Sequence, residues 1–201
     1  MKFDVLIIGG GVSGMQCALV LGSAKNKPFA HDKDIGIILH QRNSHLQNAL
    51  FNNVLGVAPK TLGKDILKEG QQQLTNLYPH VSQIVNEKVL AVLEEGAVYK
   101  VVTNKQNYFT EVVVVALNYS KPFDIAGLEQ YIEPHMRANP MKDRIQLRNF
   151  NHLISNGLYV CGTLAGWRSQ FAIAAGSGAS VATDILTLWN DRIATKVHDK
   201  V

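Results

Sequence analysis

The chain has 201 residues, 46% of them hydrophobic, and a formal net charge of +4 at pH 7. That length allows one large domain or two small ones with a sizeable core. The charge is mild and no run of Lys or Arg stands out, so we expect no nucleic-acid surface. The cysteines, Cys17 and Cys161, form no Cys-x-x-Cys pair, which argues against a redox disulfide or zinc knuckle. We expect both to be small buried hydrophobes.

No apolar run suggests a membrane span, and the chain starts with a predicted strand rather than a signal peptide. We therefore expect a cytoplasmic protein that has no contact with a membrane.

The strongest motif lies at residues 5–14. Four apolar residues, suited to a strand buried on both faces, lead into Gly-x-Gly-x-x-Gly at Gly9, Gly11 and Gly14, and helical apolar spacing follows. In such a turn the first glycine allows a tight bend, the second lets a pyrophosphate approach the backbone, and the third allows close helix–strand packing. The helix N-terminus, with the N–H groups of Val12 and Ser13, then faces the phosphates. The motif predicts a dinucleotide site.

The predicted second strand, residues 35–39, ends at an unexpected residue. In a dinucleotide fold an Asp or Glu here holds the ribose hydroxyls, but this chain has His40, followed by Gln41 and Arg42. A neutral imidazole accepts only one hydrogen bond. Three interpretations stay open: a weakened ribose contact, a site for a 2′-phosphate, or a strand end with no ligand role.

The middle of the chain predicts a helix that Pro79 ends, a strand at 81–85, and an antiparallel meander of three segments at approximately 89–117. The last segment of the meander extends as an apolar run that we expect to join the main sheet. Residues 118–157 contain several prolines and predict no long regular element, although Ile145, Leu147 and Phe150 could belong to a short strand or a packed loop.

The last third predicts a buried strand at 158–162 and a helix from Gln170 to about Trp189. The first half of that helix is nearly all small residues, including Gly176 and Gly178, which cost helix stability unless another backbone or a ligand lies close. We expect this helix to pack on the first helix and its N-terminus to face the same ligand. We also expect it to be too short and polar for a membrane span.

Both ends of the chain resemble the FAD domain of the thioredoxin-reductase-like pyridine nucleotide–disulfide oxidoreductases. The resemblance covers nearly the whole sequence. It is carried by the glycine turn, by Asn53-Val54-Leu55-Gly56 in place of Asn-aromatic-Pro-Gly, by the apolar strand that reaches Ala116, by residues 122–128, and by the strand and helix at 157–190. It implies an α/β, three-layer FAD/NAD(P)-binding Rossmann-like fold, with a parallel sheet and an antiparallel β-meander, forming a single FAD-binding domain over residues 1–201.

The resemblance also shows what this chain lacks. Only about 30 residues separate Leu128 from Leu158, too few for the NADPH domain that the full enzymes carry there, and the redox cysteine pair is missing. Three further departures bear on FAD affinity: His40 replaces the ribose acid, Leu117-Asn118 replaces Thr-Gly after Ala116, and Thr163 replaces the Asp after Gly162.

The resemblance implies the following contacts. The glycine turn would bind the pyrophosphate, His40 or Gln41 would face the ribose, and the backbone near Val89 would face adenine. Asn53 and the N-terminus of the last helix would face the isoalloxazine ring, and Trp167 and Arg168 are candidates to cover it. The full set of predicted cofactor-binding residues is Gly9, Gly11, Val12, Ser13, Gly14, His40, Gln41, Asn53, Val89, Ala116, Gly162, Thr163, Gln170, Phe171 and Ala172. No side chain is nominated as a proton-transfer catalyst, since flavin chemistry belongs mainly to the cofactor.

Two functions stay open. The first is a small FAD-dependent oxidoreductase or electron-transfer protein whose donor is NAD(P)H or another protein. The second is a non-catalytic nucleotide-binding or protein-interaction module. NADP binding at the N-terminal motif is a minor alternative. A flavin edge exposed by the missing domain predicts a homodimer or a partner surface.

Overall fold

The computed structural model describes residues 1–40 and 45–198, and its centre is a sheet of five parallel strands. In spatial order these are β12 (Leu158–Val160), β8 (Asn107–Val115), β1 (Lys2–Ile8), β2 (Ile35–Leu39) and β5 (Val81–Val85). The apolar runs predicted as strands lie in the middle of this sheet, where both faces are covered. β11 (Leu153–Ser155) adds an antiparallel edge beside β12.

Three α-helices are described: α1 (Val12–Ser23), α2 (Gly63–Leu77) and α3 (Phe171–Trp189). α1 and α3 cover one face of the sheet. One core cluster holds Val5 and Ile7 of β1 together with apolar residues of both helices. Leu6 and Ile8, which alternate with them, belong to a second cluster on the opposite face, and Phe3 at the start of the strand also joins that cluster. Because side chains alternate along a strand, β1 supplies both cores.

The opposite face is covered by the meander and by the segment after it. β6 (Val89–Glu95) pairs with β7 (Val98–Thr103), and β7 pairs with the first part of β8. The rest of β8 pairs in parallel with β1 and β12, so the last meander strand joins the main sheet as predicted. The predicted architecture, a parallel sheet with an antiparallel β-meander, is therefore confirmed.

The segment from 118 to 157 contains only short elements in the described structure, in agreement with the prediction of no long regular element, and Ile145 and Leu147 lie in a short strand. β9 (Ile132–Pro134) and β10 (Ile145–Leu147) form a two-stranded antiparallel pair, whose buried side chains join the second core cluster. Between β2 and α2 along the chain, β3 (Leu50–Phe51) pairs with β4 (Thr61–Leu62). Within the described residues, 129–157 hold only short strands and 3₁₀ turns, with no second βαβ unit.

The last helix meets the length and composition of a membrane span, with 19 residues and a mean hydropathy of 1.4 over its most apolar stretch. The expectation that it is too short and polar was therefore wrong by that measure. Core helices meet the same criterion. The side of α3 that faces the sheet is buried in protein through Val181, Ala182, Ile185 and Leu186.

Candidate functional site

The glycine turn between β1 and α1 has the three packing features that its sequence predicts. Gly9 has a φ of +114°, and a Cβ there would lie 2.5 Å from the Ala116 carbonyl oxygen. A Cβ at Gly14 would lie 1.9 Å from the Gly9 carbonyl oxygen, so helix and strand meet backbone to backbone. A Cβ at Gly11 would meet nothing within 4 Å, which leaves the space above this residue open.

The C-terminal helix packs on this turn. A Cβ at Gly178 of α3 would lie 2.0 Å from the backbone oxygen of Ser13, so α1 and α3 cross at backbone contact. Gly162, just after β12, has a φ of +73°, and its Cβ would lie 2.5 Å from Ser13 Oγ. The expected packing of the last helix on the first is therefore confirmed. Because both helices follow strands of the same sheet, their N-termini reach the same edge.

A cavity of about 850 Å³ lies at that edge. This volume is within the ~300–1,000 Å³ typical of ligand sites. Seven stretches of the described chain contribute to its wall: the glycine turn, the end of β2, the β3 region, the loop after β5, the segment after β8, Thr163 after β12, and the start of α3. The lining residues are Ile8, Gly9, Gly10, Gly11, Val12, Ser13, Ile38, His40, Leu46, Gln47, Asn48, Ala49, Phe51, Glu87, Lys88, Val89, Ala116, Leu117, Asn118, Ser120, Lys121, Pro122, Phe123, Asp124, Ile125, Thr163, Ser169, Gln170, Phe171 and Ala174.

Ten of the residues predicted from the sequence lie together in this wall. They are Gly9, Gly11, Val12, Ser13, His40, Val89, Ala116, Thr163, Gln170 and Phe171.

The other five predicted residues do not lie in the described part of the wall. Gly14 and Gly162 are buried behind it, because Gly14 packs against Gly9 and Gly162 packs against Ser13. Asn53 lies in an exposed turn between β3 and β4, and Ala172 is exposed on α3. Gln41 lies outside the described residues.

A buried acid that sequence reasoning missed also lines the cavity. Glu87 follows β5 and is only 5% exposed. Its carboxylate accepts hydrogen bonds from the hydroxyls of Thr103 (2.7 Å) and Tyr108 (3.0 Å), and from the side-chain amide of Gln106 (3.3 Å). Burial raises the pKa of Glu87, but these hydrogen bonds outweigh it, so the pKa is lower than usual and the carboxylate is ionised at neutral pH.

An aromatic pair stands where α3 meets the cavity. The rings of Phe51 and Phe171 lie edge to face, with centroids 5.3 Å apart, and both residues line the wall.

Trp167, by contrast, is absent from the described wall. Its indole stacks on His152 at 5.9 Å and donates a hydrogen bond to His152 Nε2 at 3.0 Å. These contacts support a structural role for Trp167 in its loop, and a role in covering a ligand ring stays a prediction.

A buried hydrogen-bond chain supports the loop that carries Thr163 into the cavity. The N–H of Gly162 donates to Ser177 Oγ at 2.8 Å, and this oxygen lies 2.9 Å from His152 Nε2. Because the indole N–H of Trp167 can only donate, His152 Nε2 is an acceptor and carries no proton. Burial lowers the pKa of His152, which favours this neutral form.

The same loop is held from the opposite side by the β9–β10 pair. His135 Nε2 lies 3.0 Å from the Thr163 carbonyl oxygen, while its Nδ1 accepts from the Arg137 backbone N–H at 3.1 Å. His135 therefore donates through Nε2. Arg137 donates to the Gly166 carbonyl oxygen at 2.8 Å. The position of Thr163 thus depends on the loop between β9 and β10, two short strands whose pairing the sequence did not predict.

The cysteines are buried, as expected, and free of disulfide bonds. Burial, reinforced by Cys161, raises the pKa of Cys17 well above its ordinary value. Burial also raises the pKa of Cys161 to about 12. Both therefore remain thiols at neutral pH, and their low thiolate content makes them poor nucleophiles. Within the described residues, no group of three or more His, Cys, Asp or Glu side chains forms a metal site.

Comparison with solved structures identifies the fold. An oxidoreductase from Agrobacterium tumefaciens matches with a TM-score of 0.70 and 16% identity, over 92% of this chain and 99% of that chain. A thioredoxin reductase from Gloeobacter violaceus gives a TM-score of 0.71 and 13% identity, over 100% and 99%. The thioredoxin reductase of Lactococcus lactis gives 0.69 and 12%, over 94% and 100%.

The chain has the fold of the thioredoxin reductases. The resemblance seen in the sequence is confirmed at the level of structure, although no family model and no curated protein matches the chain. In this chain the parallel sheet, the meander and the α1–α3 helix pair form the framework that presents the cavity described above.

Proposed function

We propose that this chain binds FAD in the cavity and acts as a small flavoprotein oxidoreductase whose electron donor is external. One observation carries the proposal: the N-termini of α1 and α3 open onto the same cavity, through Gly11, Val12 and Ser13 on one side and Gln170 and Phe171 on the other. Two helix N-termini supply free N–H groups and the positive ends of two dipoles to one anionic ligand.

The residues present fit such a ligand. Open space above Gly11 allows a pyrophosphate to lie against the backbone, where the N–H groups of Val12 and Ser13 are its donors. His40 and Val89 line the end of the cavity that we assign to adenosine, with Gln41 as a further candidate. Phe171 would offer its N–H group to the flavin ring, beside Thr163, Ala116 and Gln170, while Ala172 belongs to this assignment only through the family resemblance. Asn53 belongs to this assignment only through the family resemblance.

FAD would supply the redox chemistry. The chain would orient the ring and exclude water from its inner edge. The first turn of α3 carries the positive end of a helix dipole, which favours negative charge on a nearby ring. We infer that residues 1–201 work as one FAD-binding domain and that electrons come from NAD(P)H or from another protein. Neither a membrane nor a nucleic acid is needed in this scheme.

The test is the flavin content of the purified protein. We expect a yellow protein, or a colourless one that takes up added FAD with quenching of flavin fluorescence. Gly11→Ala is the critical variant because its methyl group would enter the cavity without meeting protein atoms, and Gly176→Ala on exposed α3 is the matched control. Uptake of FAD by the control but not by Gly11→Ala supports the site.

Two further results decide between the open functions. Bleaching of the bound flavin by NAD(P)H without oxygen supports a nicotinamide donor, and no bleaching points to a protein donor. A folded wild-type protein that takes up no FAD at any accessible concentration refutes the proposal and leaves a non-catalytic module.

A further inference from the structure

The positive charge of the chain is concentrated in one region. Residues 131–170 contain five Lys or Arg residues but only two acids, which gives this fifth of the chain +3 of the total charge of +4. Both acids are engaged. Glu133 accepts from the side-chain amide of Gln146 at 2.6 Å, and Asp143 pairs with Lys121 at 2.8 Å. Among the described residues, no carboxylate forms an ion pair with Arg137, Arg148 or Arg168.

Large apolar side chains are exposed in the same region. Trp167 is 38% exposed, Met136 64% and Phe150 80%. The Arg137 guanidinium lies 5.0 Å from the centre of the Trp167 ring and donates to Met136 Sδ at 3.2 Å. Trp167 stacks on His152, which lies in the tight turn that starts at Phe150. Met136, Arg137 and Trp167 are thus in direct contact, Phe150 lies at the start of the His152 turn, and Arg168 is the exposed residue that follows Trp167. We call Met136, Arg137, Phe150, Trp167 and Arg168 the arginine–tryptophan surface.

This composition is typical of the centre of a protein–protein interface. Such centres are enriched in Trp, Phe, Met and Arg and depleted in Lys, and their strongest contributors are Trp, Tyr and Arg. The five residues of the arginine–tryptophan surface include two arginines and no lysine. A guanidinium pairs with carboxylates through two parallel hydrogen bonds, so this surface is complementary to an acidic protein.

The surface also adjoins the cavity. Arg168 is followed directly by Ser169 and Gln170, which line the cavity wall at the start of α3. On another part of the rim, Arg144 donates to Ser120 and lies over the Tyr119 ring at 5.0 Å, and Ser120 is itself a wall residue. A protein seated on the arginine–tryptophan surface would therefore lie beside the cavity end that we assign to the flavin ring.

We propose that the arginine–tryptophan surface docks an acidic electron-carrier protein. This inference rests on the proposed function for the identity of the partner as an electron carrier, and on the charges and exposed aromatic side chains for the docking itself. The proposed interaction is reversible binding, with no covalent step. Opposite charges bring the partner to the rim, and Trp167, held by His152 and Arg137, provides a rigid apolar contact at the centre.

The experiment measures binding by titration calorimetry, with the full chain and two acidic probes: a flavodoxin and a plant-type [2Fe–2S] ferredoxin. Arg137→Glu combined with Arg168→Glu should weaken binding by about tenfold or more at low salt, and added salt should weaken wild-type binding. Lys64→Glu combined with Lys68→Glu makes the same charge change on exposed positions of α2 and should change the dissociation constant by less than about twofold.

Arg137 also bonds the Gly166 carbonyl oxygen, so Arg168→Glu alone serves as a variant that leaves this contact intact. It should still weaken binding by severalfold, with an unchanged circular dichroism spectrum. Equal losses in the surface variant and the α2 control overturn the proposal, as does failure of both probes to bind. Binding of anionic vesicles or RNA through this surface, without binding of either acidic protein, overturns it as well.

The docking surface and the cofactor proposal can fail separately. A chain that binds an acidic carrier but takes up no FAD supports the docking proposal and refutes the proposal of FAD binding. A yellow protein that binds neither carrier supports the proposal of FAD binding and refutes the docking proposal.

Discussion

Gly178 and Gly176 offer a matched test of how the two helix N-termini are held together. Both lie on α3, two residues apart, but only Gly178 faces α1. A Cβ at Gly178 would lie 2.0 Å from the Ser13 carbonyl oxygen and 2.8 Å from its carbonyl carbon, whereas a Cβ at Gly176 would meet nothing within 4 Å. The new methyl group at position 178 would clash with backbone atoms of Ser13, so no side-chain rotation can relieve the contact.

Relief of the contact at Gly178→Ala requires the two helices to separate by more than about 1 Å, because ordinary contacts begin at 3.4 Å. Overpacking of this kind costs ~1–3 kcal/mol, and a clash with rigid backbone belongs at the upper end. Alanine recovers ~1 kcal/mol of helix propensity. The net loss of unfolding free energy is then about 2 kcal/mol for Gly178→Ala, while Gly176→Ala gains up to about 1 kcal/mol.

Thermal unfolding of the two variants without added flavin measures this difference. For a chain of this size, each kcal/mol shifts Tm by ~2–4 °C, so we expect Gly178→Ala to melt about 4–8 °C below the wild type and Gly176→Ala to melt slightly above it. FAD affinity should fall in Gly178→Ala only. Equal melting temperatures for the two variants would refute the backbone contact between α1 and α3.

Three other predictions concern the same site. Gly11→Ala should leave Tm within about 2 °C of the wild type, because its methyl group meets no protein atom, yet weaken FAD binding about tenfold or more in a fluorescence titration. Ser177→Ala should cost ~1–3 kcal/mol in urea unfolding, because it leaves the buried N–H of Gly162 without its acceptor, and an unchanged midpoint would contradict that role. Burial lowers the pKa of His152 and of His80 below 6.5, so the unfolded chain binds more protons and the unfolding free energy should fall from pH 7.5 to 5.5. His152→Phe should reduce this dependence of the unfolding free energy on pH. An unfolding free energy that increases from pH 7.5 to 5.5 would contradict the prediction.

Much of the framework could be predicted because its signals are local. β1 and β8 are apolar runs bounded by turns, and the glycine spacing at 9, 11 and 14 specifies a strand-to-helix turn. The small residues of α3 predicted a close backbone approach, and the contact between Gly178 and Ser13 is that approach. In each case one stretch of sequence contains both the element and the reason for its position.

The parts that were missed depend on contacts between distant residues. β9 and β10 have three residues each, too few for a periodic pattern, so the sequence left a short strand or a packed loop open around Ile145 and Leu147 and did not predict their pairing with β9. Glu87 resembles a solvated charge in a turn, and it is buried only because Thr103, Gln106 and Tyr108 reach it from the meander. The contact between Trp167 and His152 was also missed, because the two residues lie 15 positions apart and belong to no motif.

The charges that line the cavity decide what can hold an anionic ligand there. Lys88 and Lys121 are opposed by Glu87 and Asp124, so the side chains of the described wall carry little net charge. Lys121 is further paired with Asp143, and the hydrogen bonds that lower the pKa of Glu87 keep its negative charge in place. Attraction for a diphosphate must therefore come mainly from the N–H groups and dipoles of α1 and α3. Because dipole effects fall off within the first turn, a displacement of about 1 Å between these helices should cost more affinity than loss of either lysine.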